Sequence, residues 1–439
     1  MHIRRVTARA SKALGILLTI AVTLISCGRA KSLDAGLAEI VKPYRFNVFR
    51  WEFTELLRRP VRAQGDASAQ PAARSSSGPV TEYMTLLSDI RRLEAKIEQQ
   101  SSSERDTESD GQLQALQAHR QALVPEVERI LGSQIRQVLQ QEGIYNPADR
   151  LVGLRVAFPP IYFRLQKPPH TLIVSPRERI ESMREVMLLQ DLSLENVIEI
   201  EAKVEGLGVS ALVEAIGGFG ATYPTFVSDD ASLYWIVKTA TEEWLHQYLA
   251  FTPLGFAYIL DLVGVARNYD IATMNETVAG IVSAEIASRV MQAYYAEYLQ
   301  PTAPPKSAEP PRVDFNAVMR DTRLQVDEML AKGQVDEAER FMEERRQYLQ
   351  ANGYYIRKLN QAYFAFYGTY ADMPSSVSPI GEELRQLQTK TKTLRDFLNA
   401  AAGMYRRSDL QDLLEGLVIS RLDAYEPVSL SPAMGDARP

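Results

Sequence analysis

The sequence predicts an α+β protein, predominantly α-helical, with a small β-sheet and an N-terminal helical hairpin arm. Apolar residues recur every three or four positions through residues 80–99, 113–139, 231–299 and 316–420, the period of a helix with one buried face. That period lapses over 150–176, where short apolar runs are punctuated by Pro159-Pro160 and Pro168-Pro169, the pattern of strands divided by turns. The 439 residues are 46% hydrophobic and 24% charged, ordinary for globular domains; this excludes a mainly disordered, a collagen-like or a many-pass membrane chain.

Lys and Arg total 49 against 55 Asp and Glu, a net charge of -6. So small an excess identifies no partner, and there is no basic footprint for nucleic acid. The single cysteine, Cys27, excludes an internal disulfide and a Cys-based zinc finger. His2, His119, His170 and His246 are the only histidines.

The start of the chain reads as an export signal over 1–26. Arg4, Arg5, Arg9 and Lys12 precede the apolar run Ala13–Ile25, which ends in Ser26 and Cys27. The run is shorter than the roughly 20 residues of a spanning helix and has the charged and apolar regions of a signal peptide. Residues 27–79 read as anchor and linker. Phe49, Trp51 and Phe53 lie near Arg58-Arg59, and 61–79 are rich in Ala, Ser, Gln, Gly and Pro.

Residues 80–145 predict an antiparallel helical pair. Met84, Leu87, Ile90, Leu93 and Ile97 mark its first helix; Leu116, Leu123, Val127, Ile130 and Leu131 mark its second. Polar Ser101–Gly111 forms the tip, and Pro125 should break or kink the second helix. Within a core over 150–299, Leu151–Phe158, Ile161–Leu165 and Thr171–Val174 predict strands; Ala211–Val227, containing Gly217-Gly218-Phe219-Gly220, is a further strand or a loop against a site. That glycine run has no Lys or Ser/Thr at phosphate-loop spacing. Helices follow, interrupted at Pro253, Gly255 and Gly264, with Gly255–Leu262 a partly buried helix. The Pro-rich 300–312 is a loop, and 313–425 a helical region completing the core.

The segment carrying candidate chemistry is Thr239-Ala-Thr-Glu242-Glu243-Trp244-Leu245-His246-Gln247. Residues four apart on a helix project side by side, so Glu242 and His246 can share one cation, with Glu243 facing a water held there. Downstream, Asn275-Glu276-Thr277-Val278-Ala279-Gly280 heads a helix predicted over 275–299, whose Ala279, Gly280, Ser283 and Ala284 permit close helix approach. Each patch also has a plain structural reading. Glu/His pairs four apart give weak helix support, and Asn-Glu before a helix is an N-cap with an acid in the first turn. Asp229-Asp230 reads as a cap for the helix that follows, His170 as a strand-end residue, His119 as solvated, and the aromatics of 354–370 as helix core.

Together and in order, these patches resemble zinc metallopeptidases of the gluzincin type. Most similar is a bacterial aminopeptidase family built on His-Glu-x-x-His-Gln and a downstream Asn-Glu-x-x-Ala. A late stretch, Lys358-Leu-Asn-Gln-Ala-Tyr-Phe-Ala-Phe-Tyr-Gly-Thr-Tyr370 followed by Pro374, is similar to that family's Asn-Ala-x-Leu helix with its Tyr and Pro. The resemblance spans roughly residues 150–400 and implies a metallopeptidase-like helical core. It implies His246 and Glu276 as metal ligands and Glu243 as the general base acting on a metal-bound water.

The chain departs from the family at position 242, where the first His should stand and Glu242 does. Either Glu242 is itself a ligand, or the site no longer holds metal. A Glu, His, Glu set lowers the formal charge of the metal shell, so manganese competes better with zinc. Leu24-Ile25-Ser26-Cys27 likewise resembles a bacterial lipobox, which implies cleavage before Cys27, lipidation of its thiol, and attachment to the cell membrane on its extracytoplasmic face. Two functions follow from these resemblances. One is a lipid-anchored metallopeptidase acting on peptides; the other is a non-catalytic scaffold that binds an envelope protein or component.

Overall fold

The computed structural model describes residues 33–47, 77–99, 107–149, 153, 155–219, 224–262, 265–266, 268–298, 313–368, 371 and 376–416. The expected signal, Cys27, most of the 27–79 linker and the 300–312 loop lie outside them. The described elements follow in chain order: α1 (33–41), α2 (Gly78–Gln99), α3 (Thr107–Gln141), β1 (Phe163–Leu165), β2 (His170–Ser175), β3 (Arg184–Leu188), α4 (Leu194–Glu205), β4 (Ser210–Ala215), β5 (Gly218–Phe219) and β6 (Thr225–Val227). The helices α5 (Leu233–Leu249), α6 (Pro253–Leu262), α7 (Tyr269–Tyr294), α8 (Phe315–Ala331), α9 (Val335–Ala351), α10 (Gln361–Tyr367), α11 (Ile380–Lys390), α12 (Leu394–Ala402) and α13 (Arg407–Leu414) complete the fold. The class is α+β and mostly helical. Among the described residues, no helix is long and apolar enough to cross a membrane.

The elements fall into two compact units, each drawn from three stretches of chain. The first combines residues 1–47, 169–215 and 324–366. Its sheet has the order β3-β2-β4, with β2 antiparallel to both neighbours. Alternate residues point to opposite faces of a strand. Leu172 and Val174 therefore join Val197, Ile200 and Val204 of α4 and Leu37 and Val41 of α1 in one core, while Ile173 and Leu212 meet Ala362 of α10 behind the sheet. Ser193 caps α4, its side chain accepting from the Asn196 N–H. The outer edge of β4 is closed by side chains. Glu201 accepts from the Val213 N–H at 2.6 Å, Arg357 donates to the Val213 carbonyl, and Asn360 donates to the Ala211 carbonyl. Satisfying these groups removes a pairing template from the edge.

The second unit combines residues 48–168, 216–323 and 367–439. Its centre is α7, buried along most of its length and packed by α3, α5, α6, α11 and α12. Beside α5 lies a second sheet of order β1-β6-β5, with β1 parallel and β5 antiparallel to β6. A buried ion pair, Arg164 to Glu128 at 2.7 Å, joins β1 to α3, and Glu128 also accepts from the Leu165 N–H.

Several expectations are corrected here. The helix α3 runs continuously through Pro125. The proline lies on the exposed face, where the carbonyl it deprives of a donor can hydrate. The described part of 151–158 is not a strand, because its backbone bonds elsewhere: Phe158 N–H donates to the Tyr145 carbonyl, and Asn146 donates to the Val156 carbonyl. Asp229 and Asp230 do not cap α5. They pair with Arg120 and Arg91 of the helical arm, and Ser232 holds the cap position. The helix predicted over 275–299 spans Tyr269–Tyr294 instead, because the Asn268 side chain accepts from the N–H groups of Asp270 and Ile271 and starts it earlier. Asn275 and Glu276 thus stand inside the helix rather than at its head. No sequence expectation covers β3 and α4.

Candidate functional site

Two helices build the site. On α5 the buried residues Leu233, Ile236, Val237, Ala240, Trp244, Leu245 and Tyr248 follow three- and four-residue spacing, so that face packs into the unit. Three polar contacts fix the rotation of the helix. Trp244 Nε1 donates to the Pro159 carbonyl at 2.7 Å, Gln247 Nε2 to Thr225 Oγ1 at 3.0 Å, and Tyr248 Oη to the Asn146 carbonyl at 3.3 Å. This rotation turns Lys238, Glu242 and His246, each one turn from the next, onto a partly buried stripe with Glu243 beside it. Opposite stands α7, with Asn275 and Glu276 buried and a small residue, Ala279, one turn beyond.

His246 and Glu276 meet across these helices, Nε2 lying 3.4 Å from Oε2. The other ring nitrogen, Nδ1, stands 2.9 Å from Asn275 Oδ1. An amide oxygen only accepts, so Nδ1 carries the proton and the lone pair of a neutral ring would sit at Nε2. Nε2 therefore faces a carboxylate oxygen, an arrangement that calls for a positive charge between them, either a proton or a metal ion. Burial opposes charge on the ring, but the neighbouring Glu276 carboxylate, helped by Glu243 and Glu242, outweighs it and raises the His246 pKa well above the ordinary imidazole range. Tyr258 of α6 donates to Glu276 Oε1 at 2.5 Å, and its ring lies beside that of His246.

Glu243 is held differently. Burial, reinforced by the charges of Glu242 and Glu276 against those of His246 and Lys238, pushes its carboxyl up to about 8. The strand β5 passes directly over it. A Cβ on Gly218 would stand 2.6 Å from Glu243 Oε1 and 2.5 Å from Thr239 Cγ2, so only glycine lets the backbone come this close. Glu242 accepts from Lys238, Oε2 to Nζ at 2.7 Å. Lys238 Nζ lies 5.2 Å from the Trp235 ring.

The donor set fits a metal in two positions. Ligand atoms each about 2.0–2.2 Å from a tetrahedral ion stand about 3.4 Å apart, the separation found between His246 Nε2 and Glu276 Oε2. Asn275 and Tyr258 occupy the places of the outer groups that orient metal ligands. The third candidate, Glu242, is held by Lys238. Among the described residues, no three His, Cys, Asp or Glu side chains are grouped to hold a metal ion.

The remaining candidates lie elsewhere. His170 begins β2, with Nδ1 at 3.0 Å from the Leu189 carbonyl, and His119 pairs with Glu82 on the surface of the arm. Of the late stretch, Asn360 bonds β4 and Gln361 donates to the Arg177 carbonyl and to Glu339. Phe364 is buried, in keeping with a helix core. Sequence reasoning missed Lys238, Tyr258 and the role of Gly218. Only Lys238 carried a local signal, since Lys and Glu four apart on a helix pair readily.

No family model matches the chain, and no curated protein or solved structure is significantly similar to it.

Proposed function

We propose that this chain is a lipid-anchored, extracytoplasmic metallopeptidase-like protein of aminopeptidase type, with His246 and Glu276 holding a divalent metal, zinc or manganese, and Glu243 serving as general base. The observation that carries this reading is the pairing of His246 Nε2 with Glu276 Oε2 while Nδ1 is committed to Asn275; it supports a cation shared by the two helices. When bound, the metal supplies Lewis-acid polarisation of a peptide carbonyl. Glu243 has a carboxyl whose pKa of about 8 lies near neutrality, the range in which a group both takes up and returns a proton. It would accept the proton of the attacking water and deliver it to the departing amine. Asn275 holds the His246 ring in one tautomer, and Tyr258 holds the Glu276 carboxylate.

The test is elemental mass spectrometry of the purified full chain together with hydrolysis of a mixed peptide library. Near-stoichiometric zinc or manganese that disappears in His246→Ala, and turnover that disappears in Glu243→Gln with metal retained, support the reading. Absence of both metal and turnover removes it. Anchoring is tested separately, because Cys27→Ser should move the protein out of the membrane fraction.

A second reading is favoured by the ion pair between Lys238 and Glu242. A carboxylate neutralised from its own helix is not free to ligate, as in a non-catalytic scaffold that keeps the peptidase architecture to bind an envelope component.

A further inference from the structure

The turn and helix that follow α5 present an apolar face to solvent. Phe251, Pro253, Phe256, Ile259, Val265 and Ala266 are the exposed residues in the described part of 250–266, and every one is apolar. Phe251 is 65% exposed and Phe256 53%. Single exposed apolar side chains are ordinary, but these adjoin one another. Thr252 caps α6, its hydroxyl accepting from the Gly255 N–H. Phe251 and Phe256 therefore hold the position before the cap and the fourth position of the helix, which lie side by side. Ile259 follows Phe256 at helical spacing, and Phe158 extends the patch, its ring centroid 5.2 Å from that of Phe251. The polar groups of the segment are satisfied within the fold. Thr252 donates to the Leu249 carbonyl, Tyr258 donates to Glu276, and Asp261, the only charged residue from 248 to 266, accepts from the Asn268 N–H. A Cβ on Gly255 would meet the Leu249 carbonyl oxygen at 2.0 Å, so α6 is seated tightly on the end of α5 and the patch stands on a firm base.

We infer that this face docks on a lipid bilayer, with Phe158, Phe251, Phe256 and Ile259 entering the acyl boundary and α6 lying along it. At ten residues α6 is too short to cross a membrane, and phenylalanine and aliphatic side chains on one helix face are the means by which a helix lies in the interface. The chemistry of the patch separates lipid from a protein partner. A stable protein interface covers about 800 Å² a side and carries roughly one hydrogen bond per 100–200 Å², and the exposed side chains of 250–266 supply no donor or acceptor for them. Acyl chains require none. The choice of lipid also rests on the reading in which Cys27 is lipidated. Only residues 28–32 separate Cys27 from α1, a reach of about 20 Å at most, so the anchor holds the fold at the bilayer. There a few apolar side chains act at high effective concentration. The same helix carries Tyr258, the partner of Glu276, so docking sets the candidate site close to the membrane surface.

The experiment measures depth in the bilayer at a single position of the full chain, reconstituted in vesicles of phosphatidylcholine and phosphatidylglycerol. A nitroxide is placed on Ile259→Cys or, as the control, on Gln121→Cys of the exposed arm, and mass spectrometry establishes whether Cys27 is lipidated. Its accessibility to oxygen, which concentrates in the bilayer, is compared with that to a water-soluble nickel chelate. The label at 259 should become accessible to oxygen and shielded from nickel only when vesicles are present, and the label at 121 should stay in water. Phe251→Ser/Phe256→Ser should remove most of the shift at 259. Circular dichroism identifies the variants that remain folded, and Phe256→Glu alone stands in if the double variant does not. A label at 259 that stays aqueous on lipidated, vesicle-attached protein overturns the docking face and leaves the anchor standing. A bilayer signal at 259 on protein whose Cys27 carries no lipid upholds the docking face and removes the anchor. Shielding from nickel at 259 without vesicles overturns the inference in favour of a second copy, and a bilayer signal unchanged by either phenylalanine variant overturns it as well.

Discussion

His246 Nδ1 lies 2.9 Å from Asn275 Oδ1, across the interface between α5 and α7. The neighbouring residue, Glu276, faces the other nitrogen of the same ring. Two consecutive residues of one helix thus grip both edges of a single imidazole, one fixing its tautomer and the other supplying negative charge. The anionic partner favours positive charge on this ring, either as a proton or as an ion shared with Glu276.

Asn275→Ala should therefore weaken metal binding by about 10- to 100-fold, the usual loss when an orienting partner of a ligand is removed. Asn275→Asp keeps an accepting oxygen at the same place and should retain most of the affinity. Zinc titration of both variants checks this, and an alanine variant that binds like wild type would show that the amide does not orient the ring.

Metal-free stability should fall as pH rises through this site. Glu243 has a folded pKa of about 8 against an ordinary value of 4.5, so between those values the folded state binds more protons than the unfolded one. Stability is fully present below about 4.5 and is lost progressively up to about 8. His246, also raised, acts in the same direction: its contribution is present below the ordinary imidazole pKa and is lost as pH climbs through its higher folded value. Glu243→Gln removes the first loss and leaves the second. Melting temperatures of chelator-treated wild type and Glu243→Gln, compared from pH 4.5 to 8, should diverge with the variant the more stable at the upper end. Parallel curves would count against a protonated Glu243.

Gly218→Ala should damage the site without removing its metal. The added methyl meets Thr239 Cγ2 and Glu243 Oε1 at under 3 Å, an overpacking of about 1–3 kcal/mol relieved by displacing the Glu243 carboxyl. Turnover should fall while metal content holds. Thr239→Ser, which deletes the obstructing methyl, should restore part of the stability. Full activity in Gly218→Ala would mean that β5 yields freely and does not set the position of the base.

In the first unit, Glu201 accepts from Arg357, Lys358 and the Val213 N–H while almost fully buried. Glu201→Ala should cost about 3–5 kcal/mol, as breaking a buried ion pair by removing one partner does. Urea unfolding measures the loss. Hydrogen exchange should show it first in β4, whose edge the network closes; a change under about 1 kcal/mol would put the pair in the class of weak surface bridges.

Much of the second unit is legible in residue order. The three- and four-residue spacing of Leu233, Ile236, Val237 and Ala240 is enough to make α5 a helix with one buried face. The offset of four between Glu242 and His246 is enough to place them on one stripe. The helical arm is legible for the same reason, since its buried residues repeat with the helix. Legibility fails where local pattern and tertiary demand part. Val156 and Phe158 read as strand but stay exposed, because the backbone around them bonds the 145–146 turn. Pro125 reads as a break, but it stands where water can replace the lost hydrogen bond.

Residue order alone thus determined the mostly helical α+β class and the helix stripe bearing Glu242, Glu243 and His246, while the candidacy of Glu276 rests on a resemblance. Tertiary structure alone decided who meets whom: Asn275 with His246, Tyr258 with Glu276, and Gly218 with Glu243. Each of these joins residues 18 to 29 positions apart whose meeting depends on how two elements pack, and helical periodicity carries no information beyond the turn or two it spans. Lys238 lies between the two cases. Its spacing from Glu242 made the pair available, but the burial that separates it from an ordinary surface pair comes from the packing of α5 within its unit.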